Sequence, residues 1–139
     1  MASALVQVCT DFRLNHELIR IQVKQRLSRA GVNADRVYIL NEVGGNPGHN
    51  LTNMVELLKR AGEPIVFCAI LHHDDCLAAR YGLRHELTSA SHEFEGDLGR
   101  LGVHCPVVTG EIRTQDNRLQ WSDEPVIRFL PFTFGPGWR

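Results

Sequence analysis

Ile65-Val66-Phe67-Cys68-Ala69-Ile70-Leu71-His72-His73-Asp74-Asp75-Cys76 decides how this chain folds. The stretch from Ile65 to Leu71 is apolar without alternation, which predicts a strand covered on both faces, at the centre of a sheet. The run ends in two histidines, two aspartates and a cysteine, residue types that bind metal or move protons. Upstream, Leu5-Val6-Gln7-Val8-Cys9 reads as a second short buried strand, and it ends on a cysteine. Asn15 then caps a helix reaching about Ala30, with Leu18, Ile19, Val23 and Leu27 at helical spacing and Gly31 just past its end. Arg36 to Leu40 is another strand, and Asn50 or Thr52 opens a helix through Arg60, closed by Gly62 and Pro64.

Downstream, helical patterns run from about Asp75 to Tyr81 and from Ser89 to Leu101. Val103 to Thr109 reads as a strand. Glu111 to Thr114 then turns at Gln115-Asp116-Asn117 and returns through Leu119-Gln120-Trp121, a hairpin signal. Strands alternating with helices mean right-handed βαβ units, an α/β fold and a mostly parallel sheet. In such sheets, sites form beyond the carboxyl ends of strands where the strand order reverses. Cys9, His73 and the loop after Leu40 all fall at that edge.

The chain has 139 residues, 43% apolar and 22% charged, which suits a single domain spanning residues 1–139. A net charge of −1 gives no sign of a nucleic-acid or membrane-surface partner. The longest apolar stretch is too short to cross a bilayer, and no signal segment opens the sequence. A reducing, cytoplasmic setting is the expectation. Four widely spaced cysteines, Cys9, Cys68, Cys76 and Cys105, then point to metal ligands or buried thiols rather than to disulfides. Cys68, inside the central strand, reads as an inert core thiol, and Cys105 likewise.

Zinc favours thiolate and imidazole donors, and catalytic sites keep three protein ligands with one position open. Cys9, His73 and Cys76 make such a set, with His73 preferred over its neighbour His72 on the facing of the strand. Asp11 and Arg13 follow Cys9 by two and four residues. Asp11 could fill the fourth position, or Arg13 could hold it off as a carboxylate–guanidinium pair, leaving it to act on a water at the metal. Asp74 and Asp75 read as helix-start residues. Gly44-Gly45-Asn46-Pro47-Gly48 could cradle an anion through its amides or be an ordinary tight loop.

Cys9-Thr10-Asp11-Phe12-Arg13 with His73-Asp74-Asp75-Cys76 resembles the C-x-D-x-R and H-x-x-C zinc signature of the β-class carbonic anhydrases. Asn41 to Asn46 stands where that family carries an Arg-Asn-Ala-Gly loop, and Val107 to Ile112 looks like its last sheet strands. The resemblance covers roughly Val6 to Trp121. It implies a mostly parallel four-stranded sheet core with an added antiparallel edge strand and helices on both faces. It also implies zinc on Cys9, His73 and Cys76, an Asp11–Arg13 catalytic dyad, and a homodimer or higher homo-oligomer. Phe12 replaces the family's serine, Leu77 replaces its glycine after the second cysteine, and the second loop lacks its arginine.

The expected activity is zinc-dependent, reversible hydration of carbon dioxide to bicarbonate through a hydroxide on the metal. Phe12 and Val43 are then candidate pocket walls, and His72 and His49 candidate proton shuttles. The alternatives are hydrolysis of carbonyl sulfide or carbon disulfide at the same site, and a non-catalytic zinc-stabilised assembly module. The apolar segment 126–139, with three phenylalanines and a tryptophan from Phe129 onward, could pack on its own domain or contact a partner subunit.

Overall fold

The two most apolar strands lie side by side in the middle of the sheet. In the computed structural model, which describes residues 1–125, β1 (Ser3–Cys9) pairs in parallel with β2 (Arg36–Glu42) on one side and β3 (Ile65–His73) on the other. β4 (Val107–Arg113) adds in parallel to β3, and β5 (Arg118–Trp121) returns antiparallel along β4. The order is β2-β1-β3-β4-β5, so the expected α/β class, parallel core and antiparallel edge strand are all present. Every residue of β1 is buried, as suits a strand that is apolar apart from Ser3 and Gln7.

Helices cover both faces. α1 (His16–Arg29) lays Ile19, Val23 and Leu27 on Val6, Val8, Ala69, Leu71 and Ile112. On the opposite face α2 (His49–Arg60) and α4 (Leu87–Arg100) bring Leu51, Val55, Phe94 and Leu98 against Leu5, Cys68 and Ile70. Each such fully buried side chain is worth about 1.5–3 kcal/mol. Asn15 caps α1 as expected, its Oδ1 accepting from the amides of Glu17 at 3.0 Å and Leu18 at 3.1 Å. None of the helices among the described residues is long and apolar enough to cross a membrane.

Several boundaries differ from the sequence reading, three of them with a clear physical cause. The last parallel strand begins at Val107 and continues through Gly110 to Arg113, because Gly110 belongs to the strand and does not end it. A Cβ there would lie 2.9 Å from the Gln120 carbonyl oxygen and 3.1 Å from Leu71, so the hairpin closes over a residue that must be bare. α2 starts at His49 without a side-chain cap; the Thr52 hydroxyl donates back to the Gly48 carbonyl at 3.3 Å. The helical pattern expected from Asp75 shrinks to α3 (Leu77–Arg80), since Asp75 takes a positive φ of 50° and Cys76 is extended. The segment 126–139, which the sequence leaves to pack on its own domain or to contact a partner subunit, lies outside the described residues.

From β1 the chain passes to β2 on one side and later to β3 on the other, so the carboxyl ends of β1 and β3 flank the point where strand order reverses. Cys9 ends the first of these strands and His73 the second.

Candidate metal centre

At that edge the donor atoms of Cys9, His73 and Cys76 all lie within 4.8 Å of one another, and all three residues are buried. The two sulfurs are 4.0 Å apart. His73 is 1% exposed, and its Nδ1 sits 2.7 Å from the Asp74 carbonyl oxygen. A carbonyl can only accept, so Nδ1 carries the proton and Nε2 keeps a free lone pair. That Nε2 is buried with no hydrogen-bond partner. An imidazole nitrogen oriented in this way, facing two thiols, fits a thiophilic divalent ion such as zinc.

The Cys9 thiol is pushed up by burial, against a hydrogen bond from the Gly44 amide that lowers it, with the Cys76 sulfur and the Asp11 carboxylate pushing it further up. That amide reaches the sulfur at 3.3 Å. The glycine loop therefore points its backbone N–H at a candidate metal ligand, where the sequence alone leaves an anion cradle or an ordinary tight loop. Gly44 and Gly45 both have positive φ, 71° and 69°. A Cβ on Gly45 would stand 3.3 Å from the Leu71 carbonyl oxygen and 3.4 Å from the Cys9 amide nitrogen, so the loop can come this close only with glycine.

Arg13 holds Asp11 in a fork. Its Nε donates to Oδ1 at 3.0 Å, its Nη2 to Oδ2 at 2.8 Å, and its own amide to Oδ1 at 2.9 Å. These bonds, led by the side chain of Arg13, hold the Asp11 carboxyl down at about 2. The Asp11 Oδ2 remains 3.7 Å from His73 Nε2, at the mouth of the donor cluster. Asp75 grips the far side of the same guanidinium, accepting from Nη1 at 3.0 Å, and also pairs with Arg80. It braces Arg13, whereas the sequence reading had placed it in a helix start. Asp74 points away, its Oδ1 accepting from the Thr114 amide at 2.8 Å and so fixing the β4–β5 turn.

Two other expectations change. Phe12 is 98% exposed and walls nothing among the described residues. His72 is buried with Nε2 unpartnered, and burial, helped by the Arg84 and His73 charges, holds its imidazole down at about 4. An imidazole held neutral in this way is a poor proton shuttle near neutral pH. His49, at the start of α2, is exposed. Cys68 is the core thiol expected, and Cys105 is half-buried ahead of β4.

Gln7, Asn46 and Arg84 were missed. Gln7 is fully buried in β1, and its Nε2 donates to the Asn46 carbonyl at 3.0 Å. The Asn46 side chain donates to the Leu83 carbonyl at 2.7 Å and accepts from the His85 amide at 2.8 Å. Arg84 donates through Nη1 to the His73 carbonyl at 3.0 Å. The one sequence signal was Gln7 itself, an amide inside an otherwise apolar strand. A cavity of about 740 Å³ lies between α1 and the β4–β5 hairpin, lined in part by Gln22, Arg29, Trp121 and Glu124 and by none of Cys9, His73 and Cys76.

No protein-family model matches the chain, and no curated protein matches it by sequence. Among solved structures it is similar to the carbonic anhydrase from Streptococcus mutans, with 15% identity and a TM-score of 0.50 over 86% of this chain and 81% of that one. A carbonic anhydrase from Glaciozyma antarctica (13% identity, TM-score 0.44, covering 85% and 80%) is also similar. So is the apo form of a carbon disulfide hydrolase (14% identity, TM-score 0.42, covering 94% and 81%). The first of these likenesses establishes a shared α/β fold, and on that fold Cys9, His73 and Cys76 make a possible metal site.

Proposed function

We propose that the chain is a zinc enzyme resembling the β-class carbonic anhydrases, and that it interconverts carbon dioxide and bicarbonate. The observation that carries this reading is the joint placement of three soft donors and a carboxylate that Arg13 holds beside them without letting it rotate. Cys9, His73 and Cys76 would hold the ion. Bound there, zinc supplies a Lewis acid able to ionise water near neutral pH.

The chain's own residues do the rest. A carboxyl held near 2 is a poor resting place for a proton at neutral pH, so Asp11 works as a fixed hydrogen-bond acceptor that orients the attacking oxygen. Arg13 keeps Asp11 ionised and aimed, and Asp75 keeps Arg13 in place. Water and carbon dioxide give bicarbonate and one proton, and with His72 held neutral that proton leaves to solvent or buffer. Phe12, Val43, Leu77, Tyr81 and Leu83 are all exposed on the segments that follow β1, β2 and β3, which favours a homo-oligomer that covers them. Free cysteines suit a compartment that keeps thiols reduced, such as the cytoplasm.

The test is stopped-flow carbon dioxide hydration at pH 7–9 by zinc-loaded protein and by Asp11→Asn. A rate above buffer that falls in the variant while zinc is retained supports the reading. No rate in either overturns it, and sulfide release from carbonyl sulfide in its place would change the substrate but keep the site.

A further inference from the structure

A primary amide inside a fully buried strand is costly, since an unpaired polar group loses about 1–3 kcal/mol on leaving water. Gln7 carries that burden: it is fully buried, its Oε1 has no partner, and its Nε2 makes one bond, to the Asn46 carbonyl. Leucine or valine would fill the same place in β1 without the penalty, so stability alone does not account for glutamine. What the amide does is anchor the loop that follows β2. From the other side Asn46 is tied to Leu83 and His85, and the space above Gly44 is closed by Arg84, whose Cα would lie 3.1 Å from a Cβ there. Arg84 in turn holds the His73 carbonyl. A loop braced on both sides has one polar contact with the donor cluster, the Gly44 N–H on the Cys9 sulfur at 3.3 Å.

We propose that Gln7 is a positioning residue for the metal centre, its amide setting, through Asn46 and the Val43–Gly45 turn, the hydrogen bond that Gly44 donates to Cys9. Such a bond draws charge from the thiolate and so tunes how strongly the sulfur donates to a metal. This rests on the zinc reading above and adds a residue to it.

The experiment replaces Gln7 by leucine and loads the protein with Co²⁺ and, separately, Zn²⁺. In Gln7→Leu the sulfur-to-cobalt charge-transfer band moves to lower energy, and Zn²⁺ in chelator competition at fixed pH is held about tenfold less tightly. Leu5→Ala, in the same strand but away from the loop, lowers the melting temperature and leaves the band in place. An unmoved band and unchanged Zn²⁺ affinity in Gln7→Leu overturn the proposal, as does an equal band shift in Leu5→Ala. Should Gln7→Leu fail to fold, Gly44→Ala displaces the same N–H at a backbone φ of 71° and must give the same band shift; an unshifted band there overturns the proposal. Wild-type protein that takes up neither ion removes the zinc reading and this inference together, whereas metal uptake with unmoved bands removes only the inference.

Discussion

Two corners of this molecule treat polar groups in opposite ways. At the α1–β5 corner the Arg26 guanidinium meets both oxygens of Asp123 at 2.6 Å, reaches Glu124 at 3.4 Å, and lies 4.7 Å over the Trp121 ring. Gln22 there donates to the Asn117 carbonyl at 2.6 Å and accepts from the Leu119 amide at 2.8 Å. At the carboxyl edge of the sheet, Gln7 Oε1, His72 Nε2 and His73 Nε2 are buried without partners, while Phe12, Val43 and Leu77 stand out in solvent. The first corner is completed by the chain itself. Among the described residues the second combines buried polar groups without partners and apolar groups without cover, a pattern that suits a place that receives something else.

Filling that edge should give the largest response. Zinc at a thousandfold excess over its dissociation constant stabilises the fold by about 4 kcal/mol, roughly 10 °C in melting temperature, and Cys9→Ala should abolish the gain in a thermal scan. Because burial pushes the Cys9 thiol up, protons compete with the metal, and zinc affinity should rise with pH when titrated against a chelator between pH 6 and 8. Next in size is the loss of Asp11 orientation. Arg13→Ala should lower carbon dioxide hydration about a hundredfold with zinc content unchanged, read by stopped flow beside metal analysis.

His72 sharpens the contrast through pH. Its folded value of about 4 lies below the unfolded 6.5, so the unfolded chain binds the extra proton in between. Stability is full above pH 6.5 and falls as pH drops toward 4, by up to about 3 kcal/mol, and His72→Phe should flatten the denaturant-derived curve. The satisfied corner should respond least. Arg26→Ala should cost about 1–2 kcal/mol, mostly lost packing on Trp121 because Asp123 is half exposed, and should leave zinc affinity untouched. A change in zinc affinity from Arg26→Ala would erase the distinction between the two corners.

The clustering of the three donors was legible where chemistry is written in single residues at strand ends. Cys9, His73 and Cys76 could be paired because each closes or follows an apolar run, and the topology brings such ends together. The centrality of β3 followed from its unbroken apolar character. What stayed hidden depended on contacts between loops. Arg84 and Asn46 act through backbone carbonyls of segments far from them in sequence, and no residue type announces which carbonyl it will meet. Asp75 braces Arg13 across 62 residues and does so from a left-handed backbone, where spacing rules predict a helix. Gly110 misled for a related reason: glycine ordinarily ends a strand, but here it lets the hairpin approach Leu71.

The Gln22 clasp on β5 has a consequence for assembly. It takes up the Leu119 amide on the last strand of the sheet and the Asn117 carbonyl in the turn before it, using an uncharged side chain. Ionic strength that loosens the Arg26 cluster has no purchase on an amide-to-amide seal. That one strand-pairing donor on the outer margin of β5 is therefore withheld from an incoming strand in brine as in dilute buffer.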